Sequence, residues 1–175
     1  DPLGASQGLT ALVEHLTRRD RMSRLGGLVS ETLAALPDPA TRITVRMDAA
    51  ERLQAANLPI DAEILLRANL GDDPNHVPSL SALAEIAARD PDDRARAEAY
   101  LSTALQADPK NVDANDAMAR LLQERGDWLG VRNLVQREQD ATRRGSKATN
   151  RTRHLQRTAI IADLNLPDLT DAVER

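Results

Sequence analysis

Apolar residues in the middle of the chain recur at helical spacing. The stretch 112–125 carries Ala114, Met118 and Leu122 on one face and ends at Gly126, a residue common just past the end of a helix. No segment shows the sustained alternation of β-branched and polar residues that is typical of a half-buried strand. The pattern therefore predicts an all-α protein without strands.

Turn signals recur at a fixed distance along the chain. Asp73-Pro74 and Asp108-Pro109 each follow an apolar helical stretch, and the distance between their prolines defines one period. A second turn falls inside each period, at Asn57, at Asp90-Pro91 and at Gly126, and the first and last of these are two periods apart. Self-similarity at about 34 to 35 residues indicates a repeat protein in which each unit holds two helices.

These turns, and the small and large residues between them, resemble the tetratricopeptide repeat family. Its pattern places Leu-Gly and a tyrosine on the first helix, Gly-Asp at the turn, and alanine, a bulky residue and a final proline after it. One unit here has Met118-Ala119 and Leu122, followed by Gly126-Asp127 and Val131. The aromatic positions are aliphatic in this chain, so the repeats are divergent, and the match covers about residues 40–135.

The resemblance implies a right-handed α-α superhelix, or solenoid, of about five stacked helix-turn-helix repeats in a single domain over residues 1–175. A helix pair of this kind cannot bury its apolar face alone, so successive pairs must share a continuous core. The repeats are predicted at residues 6–39, 40–74, 75–109, 110–145 and 146–175, the last of them incomplete. We expect the chain to be a fragment of a longer array.

The predicted core combines close helix contacts with larger side chains between the pairs. Small residues that allow close approach are Ala50, Ala84, Ala97 and Ala119. The residues expected to fill the space between successive pairs are Leu53, Leu66, Leu101, Leu122 and Val135.

The resemblance also implies a concave face, lined by the first helix of each pair, that binds another protein or a peptide. The candidate partner-binding residues are Met47, Glu51, Gln54, Ser81, Glu85, Asp116, Arg120 and Gln123. This lining is mildly acidic, which favours a partner of basic or polar character; the alternative is that these residues form solvated helix faces without a partner. The predicted function is a non-catalytic scaffold for protein–protein interaction.

Composition narrows the other possibilities. Trp128 and Tyr100 are the only aromatic residues, so stacking platforms for bases and aromatic cages are close to excluded. The formal net charge of −4 disfavours nucleic acid as a partner. The absence of cysteine removes disulfides and thiolate metal sites. No stretch approaches the roughly 20 apolar residues of a membrane span. The sequence leaves the location of the protein open, with the cytoplasm favoured.

A basic stretch at residues 132–157 supports an alternative function, the binding of RNA or another anion. Its anion-binding candidates are Arg143, Arg144, Lys147 and Arg151. Glu138 and Asp140 interrupt the stretch, and a solvated loop between helices is the favoured interpretation. A further alternative is self-association through the terminal helices.

The remaining polar residues predict no catalytic centre, metal site or cofactor. His15, His76 and His154 fall in three separate units, and His76 is expected to be a turn residue. The acidic pairs Asp72-Asp73 and Asp92-Asp93 could suggest divalent metal sites, but we expect them to cap the helices that follow. The chain is therefore predicted not to be an enzyme.

Overall fold

All regular secondary structure in the described part of the chain is helical, which confirms the all-α prediction. The computed structural model describes residues 24–33, 38–143 and 150–166 and the single positions 8, 11, 12, 15 and 16, with the backbone alone at 141–143 and 150–154. Within these residues no strand forms. The α-helices are α1 (Leu25–Leu33), α2 (Pro39–Ala55), α3 (Pro59–Asp72), α4 (Val77–Ala88), α5 (Arg94–Ala107), α6 (Val112–Glu124), α7 (Trp128–Arg143) and α8 (Asn150–Asn165). A short 3-10 turn, Pro91–Asp93, precedes α5.

Proline and side-chain caps define several helix starts. Pro39, Pro59 and Pro78 lie in the first turns of α2, α3 and α4, where the missing N–H is not needed for an intrahelical bond. Asp38 caps α2, accepting hydrogen bonds from the backbone N–H groups of Ala40 at 3.3 Å and of Thr41 at 3.0 Å. The hydrogen bond from the Thr41 hydroxyl contributes most to lowering the pKa of Asp38, and the two backbone bonds lower this pKa further.

The turns that follow α3 and α5 have the same hydrogen bonds, one period apart. The backbone N–H groups of Asp73 and Asp108 each donate to the carbonyl four positions earlier at 2.8 Å. Their carboxylates accept from the N–H groups of Asn75 at 3.0 Å and Lys110 at 3.1 Å. An aspartate before proline favours this local bond because its side chain reaches the backbone two positions on, while the proline prevents the helix from continuing.

The helices pack mainly against their neighbours in sequence. Every consecutive pair from α1 to α8 is in contact, and the substantial further contacts join α1 to α3 and α4 to α6. The buried residues form two clusters, one running from Leu16 to Leu83 and the other from Leu80 to Ala162. Tyr100 packs against both clusters, and α4 contributes to both. The arrangement resembles a helical repeat, in which each helix is stabilised by the next.

The buried side chains follow the predicted division into small and large residues. Ala50, Ala84 and Ala97 are buried at helix contacts, whereas Ala119 is half-buried. The residues predicted to fill the space between successive helix pairs are all buried, namely Leu53, Leu66, Leu101, Leu122 and Val135. The core is thus aliphatic, as the composition predicts.

The prediction that the pairs Asp72-Asp73 and Asp92-Asp93 cap the following helices is wrong, since His76 caps α4, Asp73 binds the N–H of Asn75, and no side chain caps α5. Asp72 is the last residue of α3 and binds Arg42 and Arg46 of α2, with Arg42 Nε 3.1 Å from Asp72 Oδ2. Asp93 precedes α5 without a capping hydrogen bond and pairs with Arg96 at 2.6 Å. A position near a proline turn does not reveal whether the residue closes one helix or opens the next.

Candidate functional site

The eight predicted partner-binding residues line a single open groove of about 780 Å3. They come from three helices, each the first of a predicted pair: α2, α4 and α6. The predicted residues in the lining are Met47, Glu51, Gln54, Ser81, Glu85, Asp116, Arg120 and Gln123. The structure therefore brings together a set that is spread over almost half of the sequence.

The three helices present equivalent positions to the groove. Glu51 on α2 and Glu85 on α4 lie one repeat apart, and Arg120 follows on α6 after one more repeat. Gln54 and Gln123 are separated by two repeats. Side chains three, four and seven positions apart share one face of a helix, so each helix places a short row of them in the groove.

Apolar side chains, both small and large, form the part of the lining that we call the floor. Ala50, Ala82 and Ala119 contribute one position from each lining helix, and Leu66 of α3 lines the groove beside them. Thr158 of α8 also reaches the lining. Thr158 was not predicted from the sequence, because no local pattern shows that α8 comes close to α2, α4 and α6.

Carboxylates dominate the charge of the groove. Four of them, from Glu51, Glu85, Asp113 and Asp116, share the lining with one guanidinium, that of Arg120. Glu51, Glu85 and Asp113 are exposed, and none of the three forms an ion pair with any residue in the described ranges. The Nε of Arg120 donates to the backbone carbonyl of Asp116 at 3.4 Å. The groove thus presents negative charge above an apolar floor.

A buried polar cluster fixes the start of α4 beside the groove. Asn69 donates from Nδ2 to Ser79 Oγ at 3.0 Å, and the same hydroxyl lies 2.8 Å from His76 Nδ1 and 3.2 Å from Met47 Sδ. His76 caps α4, since its Nδ1 accepts from the N–H of Ser79 at 3.4 Å. The cluster joins α2, α3 and α4, and its contact with Met47 helps to fix that side chain in the lining of the groove.

His76 is a turn residue, as predicted, and also a helix cap. Among the described residues no group of three histidine, aspartate or glutamate side chains is placed to hold a metal ion.

A second groove, of about 390 Å3, lies between α5 and α7. Its lining includes Arg125, which forms ion pairs with Glu98 and Asp127 at 2.8 Å each. Asp127 raises the pKa of Arg125 through this bond.

The predicted anion-binding set cannot be placed as a site. Arg144 and Lys147 lie outside the described residues, and so do the side chains of Arg143 at the end of α7 and Arg151 near the start of α8. Of the same basic stretch, Arg132 forms an ion pair with Asp163 of α8 at 3.3 Å. The binding of RNA or another anion stays a prediction.

The last described helix has an exposed apolar face. Ile160, Ile161 and Leu164 of α8 are 59%, 47% and 79% exposed. The opposite side of α8 packs on the core through Leu155 and Ala162.

None of the helices in the described ranges is both long and apolar enough to cross a membrane.

Comparison with protein-family models finds no match for this sequence, and comparison with curated proteins finds none either. The relation to helical repeats therefore comes from the chain itself. Its evidence is the pair of matching turns at Asp73 and Asp108 and the equivalent groove positions of Glu51 and Glu85.

Proposed function

We propose that this chain is a right-handed solenoid of about five helix pairs, related to tetratricopeptide repeats, and that it is a non-catalytic scaffold. Its groove binds a segment of another protein. The observation that carries the proposal is the groove itself, in which equivalent positions of α2, α4 and α6 form one continuous lining. A repeat protein exposes such a surface because each pair adds the same face beside the last.

The lining suits a polypeptide in an extended conformation. The small side chains of Ala82 and Ala119 leave room for a backbone to approach the helices. The amide of Gln123 offers a donor and an acceptor, which match the N–H and C=O groups of a peptide, and Gln54 offers its NH2 group while its Oε1 accepts from Arg89 at 3.4 Å. An apolar floor with polar groups along it is the usual composition of a peptide-binding surface.

The groove chemistry supports binding without turnover. Ser81 is the only groove residue of the described chain with a hydroxyl on α2, α4 or α6, and no described histidine or carboxylate forms a hydrogen bond with it. The nearest histidine in sequence, His76, binds Ser79 instead. A serine nucleophile needs an adjacent base to be activated.

Peptide binding by the full chain tests the proposal. Ser81→Trp fills the groove, while Ser102→Trp places the same side chain at an exposed position of α5 that lines the second groove instead. On an array of random twelve-residue peptides, we expect the wild type and Ser102→Trp to bind a common set of peptides that Ser81→Trp does not bind. Circular dichroism and the melting temperature should remain unchanged in both variants.

Two results would contradict the proposal. If Ser81→Trp binds the same peptides as the wild type, the binding surface lies elsewhere. If the wild type binds no peptide on the array, the chain is not a scaffold of this kind.

Self-association is a second candidate, favoured by the exposed face of α8. Ile160 and Leu164 lie one turn apart and are both more than half exposed. Burial of such a face against a second copy would remove apolar surface from water. Light scattering over a range of concentrations tests this, with Ile160→Glu/Leu164→Glu as the variant that should abolish association. A wild type that is monomeric at every concentration rejects the candidate.

A further inference from the structure

We infer that the groove selects a protein segment carrying lysine or arginine, held by the carboxylates of Glu51 and Glu85. The inference rests on the proposed function and adds the chemistry of the partner. It follows from three features of the lining: the placement of the carboxylates, the absence of a charged partner for them among the described residues, and the apolar floor beside them.

The two carboxylates occupy the same place on consecutive lining helices. Glu51 of α2 and Glu85 of α4 are one repeat apart, and both are exposed in the groove. Asp113 adds a third exposed carboxylate from α6. Arg120 holds the third equivalent position on α6, so the two glutamates place the repeated negative charge on the α2 and α4 part of the groove, where it suits a basic segment.

These carboxylates are available to a ligand. Elsewhere in the described chain, aspartate and glutamate side chains are commonly paired, as Asp48 is with Arg52 at 3.0 Å and Glu63 with Arg67 at 2.7 Å. By contrast, Glu51 and Glu85 have no charged partner within the described ranges. A cationic side chain from a partner would supply the missing charge.

The surroundings favour a lysine or arginine side chain over other cations. Among the described residues no cluster of three ligand side chains could hold a metal ion. A long basic side chain, in contrast, can lay its methylene groups on Ala82 and Ala119 while its charged end meets a carboxylate. Nucleic acid would be repelled by the same carboxylates.

Paired variants of the full chain test the inference. Glu51→Gln/Glu85→Gln removes two carboxylates from the groove, and Glu31→Gln/Asp140→Asn removes two exposed ones outside it. The probes are a lysine-bearing peptide taken from the bound set of the array and the same peptide with each lysine replaced by glutamine.

We expect the bound peptides to be enriched in lysine and arginine. The groove variant should bind the lysine peptide about tenfold more weakly than the wild type, and its binding should depend less on salt. The control variant should bind like the wild type. The glutamine peptide should bind the wild type and the groove variant equally.

The outcomes separate the inference from the proposed function. A peptide is judged to bind in the groove if Ser81→Trp no longer binds it. If such peptides show no enrichment in basic residues, the inference is overturned and the proposed function stays intact. Equal weakening in the groove variant and the control variant would also overturn it, since the effect would then be one of net charge. An absence of any bound peptide would contradict both.

Discussion

Asn57 and Gly126, two repeats apart in the sequence, end α2 and α6 with the same backbone turn. Both have a positive φ, 60° and 74°, and their N–H groups donate to the carbonyls of Gln54 and Gln123 at 3.0 and 2.9 Å. The residue after each donates to the carbonyl five positions earlier at 2.9 Å. These are the two hydrogen bonds of a Schellman motif. Because the turns match, Gln54 and Gln123 enter the groove from equivalent last turns of their helices.

The two turn residues should respond oppositely to substitution. Gly126→Ala is expected to lower the free energy of unfolding by about 1 kcal/mol, because an added Cβ meets no atom within 4 Å and the cost is the left-handed backbone alone. Asn57→Gly should leave stability equal or raise it, since glycine prefers this backbone. Urea denaturation measures both.

Gly27→Ala is the control for the turn variants. Gly27 lies within α1, is exposed, and has no atom within 4 Å of an added Cβ. Alanine should stabilise this helix by up to about 1 kcal/mol. Destabilisation by Gly126→Ala and Gly27→Ala alike would show that the backbone at Gly126 is not the cause.

Asp72 should make the free energy of unfolding fall as the pH is lowered into the acid range. Hydrogen bonds from Arg42 and then Arg46 lower its pKa to about 2, and its side chain is 16% exposed. In the unfolded chain an aspartate has a pKa of about 3.9. Between these values the unfolded state binds more protons, so the contribution of Asp72 is complete above about pH 4 and is lost as the pH falls through about 2.

Asp72→Asn measures that contribution. We expect the variant to be less stable than the wild type at pH 7, with a difference that shrinks as the pH approaches 2 in urea denaturation. Asp113→Asn, which removes an exposed carboxylate without an ion pair in the described chain, should show no such difference. An unchanged gap between wild type and Asp72→Asn at pH 2 would contradict the assignment.

The stacked core should be sensitive to loss of a buried leucine. Leu101 is 1% exposed, between α5 and its neighbours, and Leu101→Ala should lower the free energy of unfolding by about 2–5 kcal/mol. Leu164→Ala, at a position 79% exposed, should change it by less than about 0.5 kcal/mol. Equal effects at the two positions would contradict the burial of Leu101.

The cap of α6 should be replaceable only by another acceptor. Asn111 Oδ1 accepts from the backbone N–H of Ala114 at 2.9 Å. Asn111→Ala should destabilise by about 1 kcal/mol, while Asn111→Asp keeps the acceptor and should retain most of the stability. Thermal unfolding distinguishes the two, and equal losses would show that the side chain has another role.

The repeat pattern made much of the fold predictable. Proline and glycine restrict the backbone locally, so the turns at Asp73, Asp108 and Gly126 could be placed from the sequence, and the helix predicted at 112–125 is observed as Val112–Glu124. The start of α5 was less clear. The first core residue predicted in it is Ala97, although the helix begins at Arg94.

Contacts between helices were harder to predict than the helices. The bond between Arg42 and Asp72 joins residues far apart in the sequence, and the buried bond between Asn69 and Ser79 crosses from α3 to α4. Charge and polarity at these positions do not reveal their partners, since the relative rotation of packed helices decides which side chains meet. The groove lining was predictable because repetition places equivalent residues on one face.

An NMR titration tests the central claim that stacked helix pairs bind a polypeptide segment in one groove. The full chain, labelled with 15N, is titrated with the lysine-bearing peptide from the array while amide shifts are followed. The account predicts that shifts concentrate at α2, α4 and α6, including the amides of Gln54, Ser81 and Gln123. Shifts concentrated on α8 around Leu164, or no saturable shifts at all, would contradict it.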